Sequence, residues 1–519
     1  MKQQRALLAG TAALAGSSAL FALAACMHRP ASSASQVTSD MSVCVDPLAM
    51  PSGYGYPARE ATVAGWVERR DTRAIREHGW SLFAAMNTAP DPDGEAVWRS
   101  WCTSTQAFAG ATVPTPAPVG AAPATATRAA TGQVRSLNAI RAKHGEPINF
   151  RATPQYQLPA AILNDPAYRQ CIVPAQGETP AGLTDGAVFQ SNGDIMIAGV
   201  IYNRDAYDWI RSRGLYRTAT LRGLQPASAT GQAEMPEMPA GSIVLKPMMW
   251  PVPQDGVSAL PIWDGPDSDH DRYAGFEVHD MWPRAVAVTT DPASEGRRIS
   301  GALQLNGVTL NGAAMGPSRY PDMPVVGTGR FYRYTPDLAA LGACDRALLD
   351  ASAWWAYGKR FRQGDQLVLI AMHAMTKEQR AWTFQSFWWH DRPDAGPYAA
   401  DRPALPNALG PWRHYLMTET YGTTMAPGGT RWPVAYNPYI ELAAAHPIET
   451  NCMNCHHRAA WSDIRADRVS YQLEGGPDAL AVFDQRNAIF DGIVKVDSMW
   501  AISSRVPNPR PTPGPVGTQ

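Results

Sequence analysis

Gln366-Leu367-Val368-Leu369-Ile370-Ala371-Met372-His373-Ala374-Met375, then Thr376 to Arg380, then Ala381-Trp382-Thr383-Phe384-Gln385-Ser386-Phe387-Trp388-Trp389-His390, is the stretch whose reading decides the fold. Successive side chains of an extended chain point to opposite faces. Leu367, Leu369, Ala371, His373 and Met375 therefore share one face, and Val368, Ile370 and Met372 share the other. The returning run sets Trp382, Phe384, Ser386, Trp388 and His390 opposite Thr383, Phe387 and Trp389. Apolar residues on both faces predict a buried hairpin that turns over Thr376–Arg380.

Outward from it the pattern stays mixed. Phe189–Ile201, Ser242–Lys246, Arg284–Thr289 and Gly301–Leu310 read as strands, rich in β-branched and apolar residues. Arg204–Arg213 reads as a helix with Asn203 as N-cap and Gly214 just past its end, and a second helix is expected near Asp345–Phe361. A third covers 68–87, where Asp71 caps, Ile75, Leu82, Phe83 and Met86 form one stripe, and Asn87 closes the end. The fold class is α+β.

The chain has 519 residues, 45% of them hydrophobic, enough for two to four domains or one large composite core. A formal net charge of −1 gives no footing for nucleic acid or for a broadly anionic partner. Seventeen Trp and 45 Pro point to aromatic-rich packing joined by irregular, proline-fixed loops. Ala111 to Gly132, with its Pro-Thr-Pro-Ala-Pro core, is a low-complexity connector.

Cys452-Met453-Asn454-Cys455-His456 carries the chemistry. It is the C-x-x-C-H pattern of covalent c-type haem attachment: two thiols one helical turn apart each form a thioether to a vinyl group, and the adjacent imidazole becomes the proximal iron ligand. Seven Cys and eleven His in 519 residues give roughly 0.002 such matches by chance. A structural disulfide, a thioredoxin-like redox pair and half a zinc knuckle are the alternatives. Zinc needs four converging ligands, and consecutive His456 and His457 leave one helix in different directions. A redox pair follows a buried strand, which Ala443-Ala444-Ala445-His446-Pro447 is not.

The N-terminus names a compartment. Lys2 and Arg5 precede an uncharged, Ala/Leu-rich run from Ala6 to Ala25, the form of a secretory signal. Leu23-Ala24-Ala25-Cys26 resembles a bacterial lipobox, with Cys26 as the acylated first residue of the mature protein; an ordinary signal peptide or a retained anchor helix is the alternative. Met27 rather than Asp follows, so the inner-membrane retention signal is absent and the periplasmic face of the outer membrane is expected. Haem c is attached outside the cytoplasm, so both ends of the chain agree. In that oxidising space Cys44, Cys102, Cys171 and Cys344 are expected to form two disulfides in any of three pairings, or to remain buried thiols.

Residues 1–25 are thus read as a lipoprotein signal peptide, 26–45 as a tether, 46–110 as a helical segment, 111–132 as a Pro/Ala/Thr linker, 133–440 as a mixed α/β body, 441–506 as a small helical haem c segment, and 507–519 as a disordered tail. In the haem segment Asn451 to about Arg465 is expected to be the motif helix, capped by Asn451, with Ala479–Phe490 a further helix followed by an apolar run over Ile493–Ile502. Only 63 residues follow His456, so the haem is expected to lean on the upstream body.

Tyr202-Asn203-Arg204-Asp205-Ala206-Tyr207-Asp208-Trp209-Ile210 with Gly214-Leu215-Tyr216, Ile243-Val244-Leu245-Lys246, Met372-His373 with its returning aromatic strand, Asn437-Pro438-Tyr439-Ile440-Glu441 and the terminal C-x-x-C-H resemble a group of bacterial exported proteins of a "cytochrome c family". The resemblance spans roughly Gly186 to Val506. It implies a haem and a fold, and no substrate. Members often carry Phe-Glu-His where this chain has Phe387-Trp388-Trp389, so no role of that Glu-His pair transfers.

For the sixth iron position, Met499 lies 43 residues after His456, the spacing of a distal Met in small c-type cytochromes. His373, on a buried strand face beside Met372, is its competitor, and His390, His414, Met417, Met425 and His457 are further candidates. A vacant position is also open. Asp267-Ser268-Asp269-His270-Asp271 imitates the start of a calcium loop, but Arg272 and Val278 replace the Gly and Glu that such a loop needs. No P-loop, G-x-S-x-G elbow, H-E-x-x-H or dinucleotide fingerprint is present. The sequence therefore favours a periplasmic monohaem c-type cytochrome carrying single electrons to a redox partner protein. The rival is a haem c enzyme with an aromatic-rich pocket over an open iron, acting on peroxide or a small organic substrate. A binding or assembly module that presents the haem is a third reading.

Overall fold

The computed structural model describes residues 44–89, 95–110, 155–156, 160–167, 197–265, 282–302, 308–310, 313–315, 319–405, 408, 410–422, 433–435, 437–440, 451–462, 486 and 488–507. Cys26, Asp267–Asp271, Met425 and the expected helix over 479–487, Arg486 apart, lie outside these residues.

An antiparallel sheet organises the molecule. Its main strands are β1 Cys102–Thr103, β2 Ile201–Tyr202, β3 Ile243–Val252, β4 Gln366–Thr376, β5 Thr383–Trp389 and β6 Tyr415–Tyr421, hydrogen-bonded in that order. Ile197–Ala198 adds to β3 and Arg333–Tyr334 to β4, making eight strands among the described residues. β4 and β5 are the hairpin read from the sequence, paired from Ala371↔Trp388 to Thr376↔Thr383. The strict alternation expected along β4 is broken by a bulge against β3 between Leu369 and Ala371, where the apolar run carries one residue more than its partner. The chain is α+β.

The register sorts the side chains onto two faces. Val244, Met375, Phe384 and Thr420 form one cross-strand row, and Lys246, His373, Ser386 and Thr418 form the next row on the same face. The opposite face carries Leu245, Ala374, Gln385 and Glu419 in one row and Met372, Phe387 and Met417 in another.

Helix α1 (Glu60–Arg69) and helix α2 (Thr72–Met86) replace the single helix expected over 68–87, because Arg70 turns left-handed (φ 55°) and Asp71 restarts the chain as N-cap, accepting from Ala74 N at 3.1 Å. α2 covers the second face: Phe83 stacks on Phe387 at 4.1 Å between ring centroids, and Arg76 reaches Glu419 at 2.6 Å. Helix α3 (Arg204–Ser212) has the expected Asn203 cap and ends at Gly214, whose φ of 63° suits a residue without Cβ. Helix α4 spans Ala343–Tyr357; it stops short of Phe361 because Gly358 closes it in the left-handed region (φ 74°).

A second sheet orders Ser258–Ile262, Arg284–Thr289, Arg319–Gly327 and Arg298–Ala302, and its one parallel pair joins the second and third. The strand expected over 301–310 is divided: Arg298–Ala302 sits here, while Val308–Leu310 pairs with Ala313–Met315 and Gln155–Tyr156. Of the strand expected over 189–201, Ile197–Ala198 and Ile201 are within the described residues.

Candidate functional site

Helix α5, Cys452–His456, presents the C-x-x-C-H residues on a single turn. The helix expected to reach Arg465 ends there. The chain tightens through Arg458 N→Cys455 O and Ala459 N→His456 O, and Ala460–Trp461 then becomes a buried strand against Val494–Lys495, which in turn pairs in parallel with Ala233–Glu234. Burial of Ala459, Ala460 and Trp461 outweighs the helix-forming tendency of the sequence.

Asn451 fixes the entry to the turn. Its side chain accepts from Asn454 N at 3.0 Å and donates to Thr420 Oγ1 at 3.1 Å and to Pro433 O at 2.8 Å. Asn437 braces the same face of the sheet, donating to Ser386 Oγ at 2.9 Å while its carbonyl accepts from the backbone of Tyr439 and Ile440. α5 thus lies on the face that carries Phe384 and His373, with α2 on the other side.

Cys452 is buried and Cys455 half-buried, and neither is disulfide-bonded. The Cys452 thiol donates to Ala435 O at 3.4 Å, and Trp500 Nε1 donates to Cys455 O at 3.2 Å. Two thiols at i and i+3 on one turn share a side of the helix, where they can form two bonds to one planar group.

His456 packs its ring 5.0 Å from that of Phe384. Its Nδ1 lies 2.8 Å from the carbonyl oxygen of Ser498, an acceptor only, so Nδ1 carries the proton and Nε2 keeps its lone pair. Burial lowers the imidazole to about 4, opposed by the Ser498 bond and reinforced by Lys246. The side chain is thus a neutral, oriented nitrogen donor. His457 is lowered to about 4 by burial as well, and faces Ala381 O at 3.5 Å.

The acceptor is held by a segment that the sequence shows only as part of the apolar run over Ile493–Ile502. Asp497 and Ser498 both adopt left-handed backbone, φ 45° and 66°. Asp497 accepts from Lys377 Nζ at 2.8 Å, from Trp382 Nε1 at 3.0 Å and from Met238 N at 2.8 Å. Burial pushes its carboxyl up, and Lys377 pulls it back. These bonds lock the hairpin turn to the segment that turns the Ser498 carbonyl toward His456. No Gly or Asn marks those two positions, and within the run the sequence singles out Met499 alone. Met499 is buried and belongs to the cluster that holds Cys452, Met453, Met238 and Trp382.

His373 faces α5 from the sheet. Burial, then Lys246, then His456 hold its imidazole well below the ordinary range. The remaining candidates are elsewhere. Met417 is on the opposite face, against Gly79 of α2. His390 accepts from Arg392 N at 2.9 Å and faces Asp264 at 3.4 Å. His414 precedes β6 in a short 3₁₀ turn. Cys44 and Cys102 form a disulfide that ties the first described residues to β1, with Cα atoms 5.3 Å apart. Cys171 lies outside the described residues.

No protein-family model matches the chain, and no curated protein or solved structure matches it.

Proposed function

We propose that the chain is a monohaem c-type cytochrome of the periplasm that carries single electrons. Cys452 and Cys455 hold the haem through thioethers and His456 Nε2 binds its iron. The observation that carries this reading is the His456–Ser498 bond. A histidine that ligates a metal characteristically donates its other ring N–H to a carbonyl or carboxylate, which fixes tautomer and ring direction. Here that arrangement stands beside two thiols on one helical turn.

The bound group supplies reversible one-electron chemistry. The chain's own residues supply the rest. The Phe384 ring packs against His456, Met453 and Met499 surround the motif with apolar side chains, and Asn451 and Asn437 fix it to the sheet. A low-polarity, rigid surround limits reorganisation and tunes the potential.

The N-terminal sequence supports export and acylation at Cys26; the partner proposed at the outer membrane is a redox protein, and the net charge of −1 gives nucleic acid no footing. The resemblance to exported "cytochrome c family" lipoproteins is in keeping with that. The test is a spectroelectrochemical titration of protein matured in a host with c-type haem assembly. A reversible single-electron wave without turnover of peroxide is expected; catalytic consumption of peroxide at rates typical of enzymes would favour the haem enzyme instead.

A further inference from the structure

We infer that His373 is the second axial ligand of the iron, making a bis-histidine site with His456, and that Met499 belongs to the proximal side. The inference rests on the haem reading above and deepens it.

The two ring nitrogens of an imidazole, on either side of Cε1, point in widely divergent directions. Ser498 O occupies the Nδ1 edge of His456 at 2.8 Å, so the backbone of 497–499 stands behind the ring and the ligating Nε2 looks away from it. Met499 follows Ser498 directly. It flanks helix α6 (Trp500–Arg505), with its N–H bonded to Val496 O and its carbonyl to Ile502 N. It belongs to the same buried apolar cluster as Cys452 and Met453.

The sheet supplies the other side. The His456 ring is 5.0 Å from Phe384. Phe384 stands opposite Met375, and His373 stands opposite Ser386, two residues further along on the same face, so His373 is a diagonal neighbour of Phe384. Along β3 every residue is buried except Lys246, and along β4 every residue is buried except His373 and the terminal Gln366. Lys246 and His373 are cross-strand partners. These two cross-strand partners are therefore the partly exposed positions in the middle of the central strands, on the face that α5 covers, and Cys455 and His456 are themselves only half-buried. A side chain on a central strand is held by its neighbours on both sides, which suits a ligand whose position must not change with oxidation state.

Electrostatics agree with this placement. His456 is near enough to His373 to act on it electrostatically, as Lys246 also does. His457, directed at Ala381, and Met417, on the far face, do not compete.

The test is optical, near-infrared circular-dichroism and carbon-monoxide spectroscopy of the full-length holoprotein and two variants. The wild type is expected to be low-spin without a sulfur-to-iron band and to resist carbon monoxide. In His373→Ala the iron becomes high-spin and binds carbon monoxide, and added imidazole restores the low-spin spectrum. Met499→Leu leaves the spectrum unchanged. A sulfur-to-iron band that Met499→Leu abolishes, or a low-spin His373→Ala without imidazole, would overturn the assignment. Should His373→Ala fail to mature, the near-infrared magnetic circular dichroism of the oxidised wild type decides alone, since bis-imidazole and imidazole–thioether ligation place their charge-transfer bands apart. Protein with no covalent haem would instead refute the reading on which this rests.

Discussion

His456 Nδ1 and Ser498 O, 2.8 Å apart, join the C-x-x-C-H turn to a segment 42 residues later in the chain. That carbonyl is aimed by two consecutive non-glycine residues in left-handed backbone, each costing on the order of 1 kcal/mol. Strain of this kind persists only where the surroundings over-determine it. Here Asp497 does so, through Lys377, Trp382 and Met238.

Asp497→Ala should accordingly destabilise the protein by about 3–5 kcal/mol, because it leaves the buried Lys377 ammonium without its closest carboxylate. Denaturant unfolding of the holoprotein measures this. The variant should also show a shifted reduction potential, since His456 loses its fixed acceptor; an unchanged midpoint and potential would remove Asp497 from the account.

Two carboxylates give the stability opposite pH slopes. Burial raises Asp264, but the bonds from Arg284 and His390 outweigh it and hold the carboxyl well below the usual range; its contribution is complete above about pH 4 and is lost as the pH falls below that. Glu419 is raised by burial to about 6 despite Arg76, so its contribution is complete below about pH 4.5 and is lost as the pH rises through 6, by roughly 2 kcal/mol. Unfolding free energies measured from pH 3 to 7 should show a flatter acid limb in Asp264→Asn and a flatter limb between about pH 4.5 and 6 in Glu419→Gln.

The Cys44–Cys102 bridge closes a separation of 58 residues, for which loop entropy gives about 4 kcal/mol. Cys44→Ser with Cys102→Ser should lower the unfolding free energy by up to that amount, and peptide mapping without reduction should recover the pair. Recovery of Cys44 linked to Cys171 or Cys344 would contradict the structure.

The hairpin was legible because the strand period is two and both of its faces are apolar, and α3 was legible because Asn203 and Gly214 mark its ends. What escaped depends on contacts distant in sequence. Nothing in Val496-Asp497-Ser498-Met499 announces a left-handed pair, since neither residue is Gly or Asn and their conformation is held by Lys377 and Trp382. Phe384 was readable as a strand residue, but its place against His456 follows from α5 docking through Asn451 and Thr420. The motif helix is shorter than expected because Ala459-Ala460-Trp461 favour a helix locally, whereas Ala460–Trp461 is buried as a strand against Val494–Lys495. Four cysteines permit three pairings, and only the β1–β2 ladder brings Cys102 to a fixed place.

The proposed acylation at Cys26 predicts that Cys26→Ser moves the protein from the membrane fraction to the soluble fraction or leaves its signal uncleaved. A wild type recovered entirely in the soluble fraction, with an unmodified N-terminus, would remove the lipid anchor.

The central claim is the covalent haem at Cys452 and Cys455, and acidified organic extraction tests it most directly, because thioether-bound haem stays with the denatured chain while ligated haem does not. Protein matured in a host with functional c-type assembly should keep one haem after extraction, and Cys452→Ala with Cys455→Ala should lose it. A wild type that yields all its haem to the solvent, or carries none, contradicts the account.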